Sequence, residues 1–227
     1  PAMNIHRNAF SGRTFEYFSE DSLLSGVMAS NEIAGAKEKG VYSFMKHFAL
    51  NDQETKRTEM LCTWTNEQAM REIYLKPFEM SVKEGGAQAV MSAFNYIGNT
   101  YAGGNNVLLN TVLRDEWGFK GYNVTDFTGV TLHASPKESI LAGTTAFCGF
   151  GKDDSITYWN ADALKGDRTM LLAIKQNIHY LLYALANSAA MNGVNSTTRT
   201  ISVMTWWRMT YRVCIYGFAA LTALCAL

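Results

Sequence analysis

The chain alternates between segments with helical apolar spacing and short apolar runs. From Ser22 to Lys39 apolar residues fall at Leu23, Leu24, Val27, Met28 and Ile33, which predicts a helix capped by Asp21 and ended by Gly40. Val41 to Met45 predicts a strand. A polar loop, Asn51 to Arg57, leads to a second helix from about Asn66 to Glu84 that stops at Gly85-Gly86. Ala89 to Phe94 predicts the second strand, Gly98 to Asn106 a turn-rich loop, and Leu108 to Glu116 a short helix. Tyr122 to Thr125, β-branched or aromatic at three of four positions, predicts a third strand, launched by Gly118 and Gly121 and closed by the loop around Gly129. Ala146 to Cys148 is a candidate fourth.

Strands separated by helices, without β-hairpin signals, call for parallel β-α units, so the expected class is α/β. The strands are too few to close an eight-fold barrel. Arg168 to Ala190 predicts a long helix capped by Asp167 and stopped by Gly193, with Leu171, Leu172, Ile174, Ile178, Leu181, Leu182 and Leu185 as its apolar side, packed on the sheet as a closing barrel helix. His179 within it reads as a surface or packing residue. The barrel unit is then expected over residues 1–193, a polar linker over 194–205, and a further segment over 206–227. Asn195-Ser-Thr in the linker matches an N-glycosylation acceptor, which matters only in a chain secreted by a eukaryote.

The last segment has its own pattern. Trp206, Trp207, Arg208, Tyr211 and Arg212 stand ahead of an uncharged run from Val213 to Leu227, and aromatic residues with arginines ahead of an apolar run are what a membrane interface selects. The run is shorter than the roughly 20 residues that span a bilayer. A buried globular helix is the plain alternative; the expectation is a membrane-anchoring helix, with the arginines favouring a cytoplasmic N-terminal side.

Composition narrows the function classes. The 227 residues are 48% hydrophobic and 18% charged, enough to bury a core. Twenty basic residues balance twenty acidic ones, so no global field recruits nucleic acid, and binding must come from a local site. Cys62, Cys148, Cys214 and Cys225 show no C-x-x-C spacing, so neither a disulfide framework nor a zinc site follows, and no cofactor or metal is called for. The start, Pro-Ala-Met-Asn-Ile-His-Arg, has the features of the middle of a longer chain.

Candidate chemistry gathers at the strand ends. Lys46 and His47 follow the first strand, Asn95 the second and Asp126 the third, so polar groups able to hold a polyhydroxylated ligand recur at one edge. A carboxylate directly after an apolar strand is what an α/β barrel's active-site rim uses; the ordinary alternative is a cap for the next helix.

The residues themselves resemble glycoside hydrolase family 3. The likeness is carried by Ser11-Gly-Arg-Thr-Phe-Glu-Tyr-Phe-Ser-Glu-Asp21, Lys46-His-Phe-Ala-Leu-Asn-Asp-Gln-Glu-Thr55 and Arg71-Glu-Ile-Tyr-Leu-Lys-Pro-Phe78, and by Met91-Ser-Ala-Phe-Asn95 and Trp117-Gly-Phe-Lys-Gly-Tyr-Asn-Val-Thr-Asp126. These ordered motifs span Pro1 to about Val130, the C-terminal part of that family's (β/α)8 barrel domain. The resemblance implies a retaining, two-step hydrolysis of terminal β-linked sugars of the β-glucosidase type, with Asp126 as nucleophile and Arg13, Lys46 and His47 as sugar-binding residues. Phe94 and Phe127 fall at substrate-binding positions where the family usually carries Tyr and Trp, so a hydroxyl near the nucleophile and a broad stacking surface are both reduced. The family's sugar-binding aspartate and early strands would precede Pro1. Its acid/base, usually a glutamate in a second sandwich domain, matches nothing after Val130, which fits members with reversed domain order and places that domain upstream.

Glu16, Glu20, Glu54 and Glu67 are the internal carboxylates to weigh as the acid. Glu16 and Glu20 fall in the loop and cap before a helix and Glu67 in a first helical turn, while Glu54 lies on the rim in a loop-ordering position. None is assigned as the acid. The sequence therefore leads to a membrane-anchored β-glycosidase whose partner is a β-glycoside or oligosaccharide. The opposing reading is a truncated or decayed relative that binds sugar without turnover, and a weaker third is a structural fragment.

Overall fold

The computed structural model describes residues 1–57, 59–127, 134–149, 165–199 and 201–225. The chain divides into two compact units, Pro1–Asn192 and Gly193–Leu227. The first is built on a four-stranded parallel sheet of order β1-β3-β6-β7, with β1 at Phe44–Phe48, β3 at Ala89–Ser92, β6 at Tyr122–Phe127 and β7 at Ala146–Cys148. Ala2 adds a parallel bridge to Lys46, with Met3 N–H donating to the Lys46 carbonyl at 2.9 Å. Parallel order requires crossovers, and helices supply them. The α/β expectation holds.

A second, three-stranded sheet was not expected. β2 (Cys62–Thr63) pairs with β4 (Tyr96–Ile97), which turns antiparallel into β5 (Thr100–Tyr101) through Gly98 at φ 62°. Gly98-Asn99 is a two-residue hairpin signal. The expectation of no hairpin is corrected on that ground.

Helix α1 (Ser22–Glu38) starts where Asp21 Oδ1 accepts the Leu24 N–H at 2.7 Å, and Gly40 follows its end at φ 77°. Its buried side is Ser25, Gly26, Ala29, Ser30 and Ile33, whereas Leu23, Leu24, Val27 and Met28 are exposed. The predicted apolar face is thus turned outward. Close approach decides the matter: a Cβ on Gly26 would stand 2.4 Å from Met80 Sδ, so only small residues fit where α1 meets the neighbouring helix.

That neighbour begins at Asn66, whose Oδ1 accepts the Ala69 N–H at 2.8 Å, and runs as α2 (Glu67–Ala69), a π-helical turn Met70–Tyr74 and α3 (Lys76–Lys83). Pro77 lacks an N–H and sits in the first turn of α3, where that loss costs least. The helix before β6 winds with π spacing over Val107–Glu116. Burial of Met45, Phe48, Phe78, Val90, Leu109 and Leu113 forms the core between sheet and helices.

β7 is short, and side chains reinforce it. After α4 (Pro136–Leu141), Thr144 Oγ1 accepts from Asn123 Nδ2 and donates to the Gly103 carbonyl, both at 2.8 Å, while Asn177 Nδ2 donates to the Ile140 and Thr144 carbonyls at 2.9 Å. Asn177 lies on α5 (Arg168–Ala186), capped by Asp167 as expected. The expected apolar side of α5 is corrected: Met170, Asn177 and Ala184 are buried, whereas Leu171, Leu172, Ile178, Leu182 and Leu185 are exposed. Polar and aromatic contacts hold it, including the buried Arg114 guanidinium stacked 3.5 Å over Tyr180.

In the second unit, α6 (Trp206–Cys225) is one continuous helix. Arg208 and Arg212 fall in its first two turns, and among the described residues no helix is long and apolar enough to cross a membrane. The expected membrane-spanning helix is corrected on that finding. The loop around Gly129 lies outside the described residues.

Candidate active site

Three strand ends and two loops converge. Asp126 is the penultimate residue of β6, 7% exposed, and its Oδ1 accepts the Phe127 N–H at 2.9 Å. Lys46 and His47 lie on β1, two strands away, where the pairing with β3 breaks register between Met45 and Phe48. His47 Nε2 stands 3.5 Å from Asp126 Oδ2 and 3.1 Å from Arg13 Nη1. Asn4 fixes the His47 backbone from both sides, accepting its N–H at 2.8 Å and donating to its carbonyl at 3.0 Å.

Arg13 belongs to the loop before α1, which is moored to the loop after β1. Tyr17 donates its hydroxyl to the Asn51 carbonyl at 2.8 Å, and Glu54 N–H donates to the Ser11 carbonyl at 3.0 Å. The moorings bring charge together. Glu16 accepts from Arg13 Nε and stands 3.1 Å from Lys46 Nζ, so one carboxylate spaces two cations on the rim. Glu54 takes Arg57 Nε at 2.8 Å and Asn51 Nδ2 at 3.0 Å, with Arg13 Nη1 at 3.8 Å.

One residue of this cluster, Arg57, was not picked out from sequence. Its Nη1 is buried, makes no hydrogen bond, and lies 3.9 Å from Asp126 Oδ2. Its guanidinium lies 4.6 Å from the centroid of the Phe94 ring. Glu16, weighed as an acid and read as a loop residue, stands here between two cations. A charge in a loop carries no signal until the loop's anchors are known, and here the anchors are Tyr17 and Ser11.

The electrostatics follow from burial. Burial raises the Asp126 carboxyl above its ordinary range, opposed by the Phe127 N–H and by the positive charges of Arg57, Arg13 and Lys46. His47 is pushed down to about 2 by burial and then by Arg13, Lys46 and Arg57, so it is neutral. For Glu16, burial acts upward, but the hydrogen bonds from Arg13 and Lys46 overcome it and the carboxyl ends below its usual range. A neutral imidazole and nearby guanidinium groups thus surround a buried carboxylate.

Of the sequence-predicted residues, Arg13, Lys46, His47 and Asp126 are brought together. Phe127 follows Asp126 and is 37% exposed. Phe94 is buried and faces the rim through Arg57. Asn95 is fully buried, and its Nδ2 donates to the Ala49 carbonyl at 3.1 Å and the Thr63 hydroxyl at 3.2 Å, so it braces loops rather than offering itself to a ligand. Glu67 pairs with Arg71 at 2.9 Å, away from this cluster. Among the described residues no group of three or more His, Cys, Asp or Glu is placed to hold a metal ion.

The sequence profile of the glycosyl hydrolase family 3 N-terminal domain matches residues 1–148. The chain belongs to glycosyl hydrolase family 3. It is 48% identical over 148 residues to Beta-glucosidase B of Emericella nidulans, covering 63% of this chain and 16% of that protein. It is 43% identical over 127 residues to a beta-glucosidase of Ruminococcus albus, covering 56% and 13%. Among solved family 3 structures, beta-glucosidase 3B of Thermotoga neapolitana in complex with glucose superposes with TM-score 0.76 at 38% identity, over 85% of this chain and 27% of that one. The Bifidobacterium adolescentis beta-glucosidase gives 0.75 at 32%, over 88% and 29%. The chain thus spans less than a third of each of these family 3 relatives.

Proposed function

We propose that the protein carrying this chain is a retaining β-glucosidase, in which residues 1–193 form part of a (β/α)8 barrel and Asp126 is the nucleophile. The observation that carries the reading is the placement of the Asp126 carboxylate at the end of β6, 3.5 Å from a neutral His47 and 3.9 Å from Arg57. The similarity to beta-glucosidases, one of them solved with glucose, supports the substrate class.

Attack by Asp126 Oδ2 on the anomeric carbon forms the carboxylate–sugar bond and breaks the glycosidic C–O bond, and water later cleaves the ester with net retention. Arg13, Lys46 and His47 donate to ring hydroxyls and hold the sugar in line, gaining rate by orientation. The proton for the departing oxygen comes from neither rim glutamate. Glu16 is held ionised between Arg13 and Lys46, and Glu54 is engaged by Arg57 and Asn51. The acid is supplied by another part of the protein, in keeping with the sandwich-domain glutamate that the family resemblance implies.

The assignment is tested by trapping the protein with a 2-deoxy-2-fluoro β-glucoside and mapping the labelled peptide by mass spectrometry. The label is expected on Asp126. A label on any other residue overturns it.

A further inference from the structure

A cavity of about 480 Å³ is bordered by the start of the loop that carries Glu54 and Arg57. None of Arg13, Lys46, His47, Asp126, Phe94 or Phe127 lines it. The loop's Asp52 and Gln53 face this cavity, so one loop borders both sites. Its volume falls in the range of small-ligand pockets.

The lining is not what a solvent gap would show. Trp64 is 76% exposed, and Thr63 beside it is held in the β2–β4 ladder, its hydroxyl donating to the Tyr96 carbonyl at 2.8 Å. One edge of the indole lies near Gly98, where a Cβ would stand 3.6 Å from Cζ3. A wide aromatic surface left wet costs hydration free energy unless something covers it. Tyr74, also in the lining, carries the Arg7 guanidinium 5.6 Å from its ring centre. Asp52 is 6% exposed, and one of its oxygens accepts the Ile5 N–H at 2.7 Å. An aromatic platform, a fixed carboxylate, a guanidinium and the amides of Asn8 and Gln53 are together the chemistry that recognises a pyranose: apolar ring face on one side, hydroxyls donating and accepting around the edge.

We propose that this cavity is a second sugar-binding site, taking a single pyranose ring against Trp64 with its hydroxyls on Asp52, Arg7 and the neighbouring amides. The site is separate from the rim and does not depend on Asp126 being the nucleophile.

The probe is radiolabelled D-glucose, measured by equilibrium dialysis against the complete protein and its variants, where two sites are expected, one on the rim and one in this cavity. The cavity site is expected to weaken at least about tenfold in Trp64→Ala and in Asp52→Asn and to return in Trp64→Phe, while Lys46→Ala weakens only the rim site. Trp64 is exposed, and Asn keeps an acceptor for the Ile5 N–H, so both truncations leave the fold in place, which circular dichroism verifies. D-glucitol, with the same hydroxyl configuration at C2 to C5 and no ring, is expected not to compete. Glucose binding that Trp64→Ala and Asp52→Asn leave unchanged overturns the proposal, as does a chain that binds none. Loss confined to Lys46→Ala would place all the sugar on the rim, refuting the second site while leaving the proposed function intact. Loss confined to Trp64→Ala and Asp52→Asn supports the second site and counts against sugar binding by the rim in this chain.

Discussion

Arg57 reaches to within 3.9 Å of Asp126 while its Nη1 atom, buried above the Phe94 ring, donates to nothing. A buried guanidinium nitrogen without a partner is costly, and a carboxylate one ångström too far for a hydrogen bond is its nearest remedy. The pair is set to tighten when Asp126 carries its charge and to relax when that charge is lost.

Replacing Arg57 with Gln is therefore expected to act through pH. Burial already raises the Asp126 carboxyl, and Arg57 is the largest of the charges that oppose it. Removing the cation raises the carboxyl further, so the fraction ionised begins to fall at a higher pH. The acidic limb of kcat/KM in the complete enzyme moves to higher pH, and Arg57→Lys moves it less. A limb that stays in place would show that Arg57 has no electrostatic hold on the nucleophile.

Asp126→Asn keeps the shape and removes the proposed nucleophile. Turnover of an aryl β-glucoside is expected to drop about 10⁴-fold or more, with inhibitor affinity for the rim largely kept. Lys46→Ala and His47→Ala differ, since contacts made in both ground and transition state are lost, raising KM as well as lowering kcat. Steady-state kinetics on the three variants separates the two patterns.

His47 gives the fold a pH dependence of its own. Its folded value of about 2 lies below the ordinary 6.5, so between those limits the unfolded chain binds the extra proton. Stability contributed by the neutral, buried ring is full above pH 6.5 and is lost as pH falls, by at most about 1.4 kcal/mol per pH unit. Urea unfolding of His47→Gln from pH 7 to 5 is expected to show a shallower decline than the parent. Parallel declines would contradict the buried neutral state.

Two glycines test the packing from opposite directions. A Cβ on Gly121 would lie 2.0 Å from the Gln88 carbonyl oxygen, which is backbone immediately before β3, accepts the Tyr122 N–H and cannot yield. Gly121→Ala is expected to destabilise the fold by about 3 kcal/mol or more. Gly35 sits exposed inside α1 with nothing within 4 Å, so Gly35→Ala is expected to stabilise it by about 0.5–1 kcal/mol. Thermal or urea unfolding of both variants reads the sign directly.

What the sequence made legible was the part governed by local rules. Asp21, Asn66 and Asp167 mark helix starts because each side chain accepts an N–H three residues on. The strand order of charged ends placed Lys46, His47 and Asp126 on one edge because parallel strands share a direction. Helix faces were misread where packing distance overrode hydrophobicity: Gly26 must face Met80, and Leu23, Leu24, Val27 and Met28 are turned away as a consequence. The Gly98-Asn99 turn was visible and passed over because it lay in a polar stretch. The roles of Arg57 and Glu16 were not legible, since beside their local partners Glu54 and Arg13 each reaches a residue distant in sequence, Asp126 on β6 and Lys46 on β1.

Thr144 gives β7 a character that its length denies it. Its hydroxyl joins Asn123 to the Gly103 carbonyl, while its own carbonyl holds Asn177. A strand with two ladder pairs would ordinarily breathe open on the timescale of peripheral elements. Held from three directions, the turn that feeds it should exchange the Thr144 amide more slowly than a peripheral loop does, which steadies the entry to the strand beside Asp126 even when the margins of the molecule fluctuate.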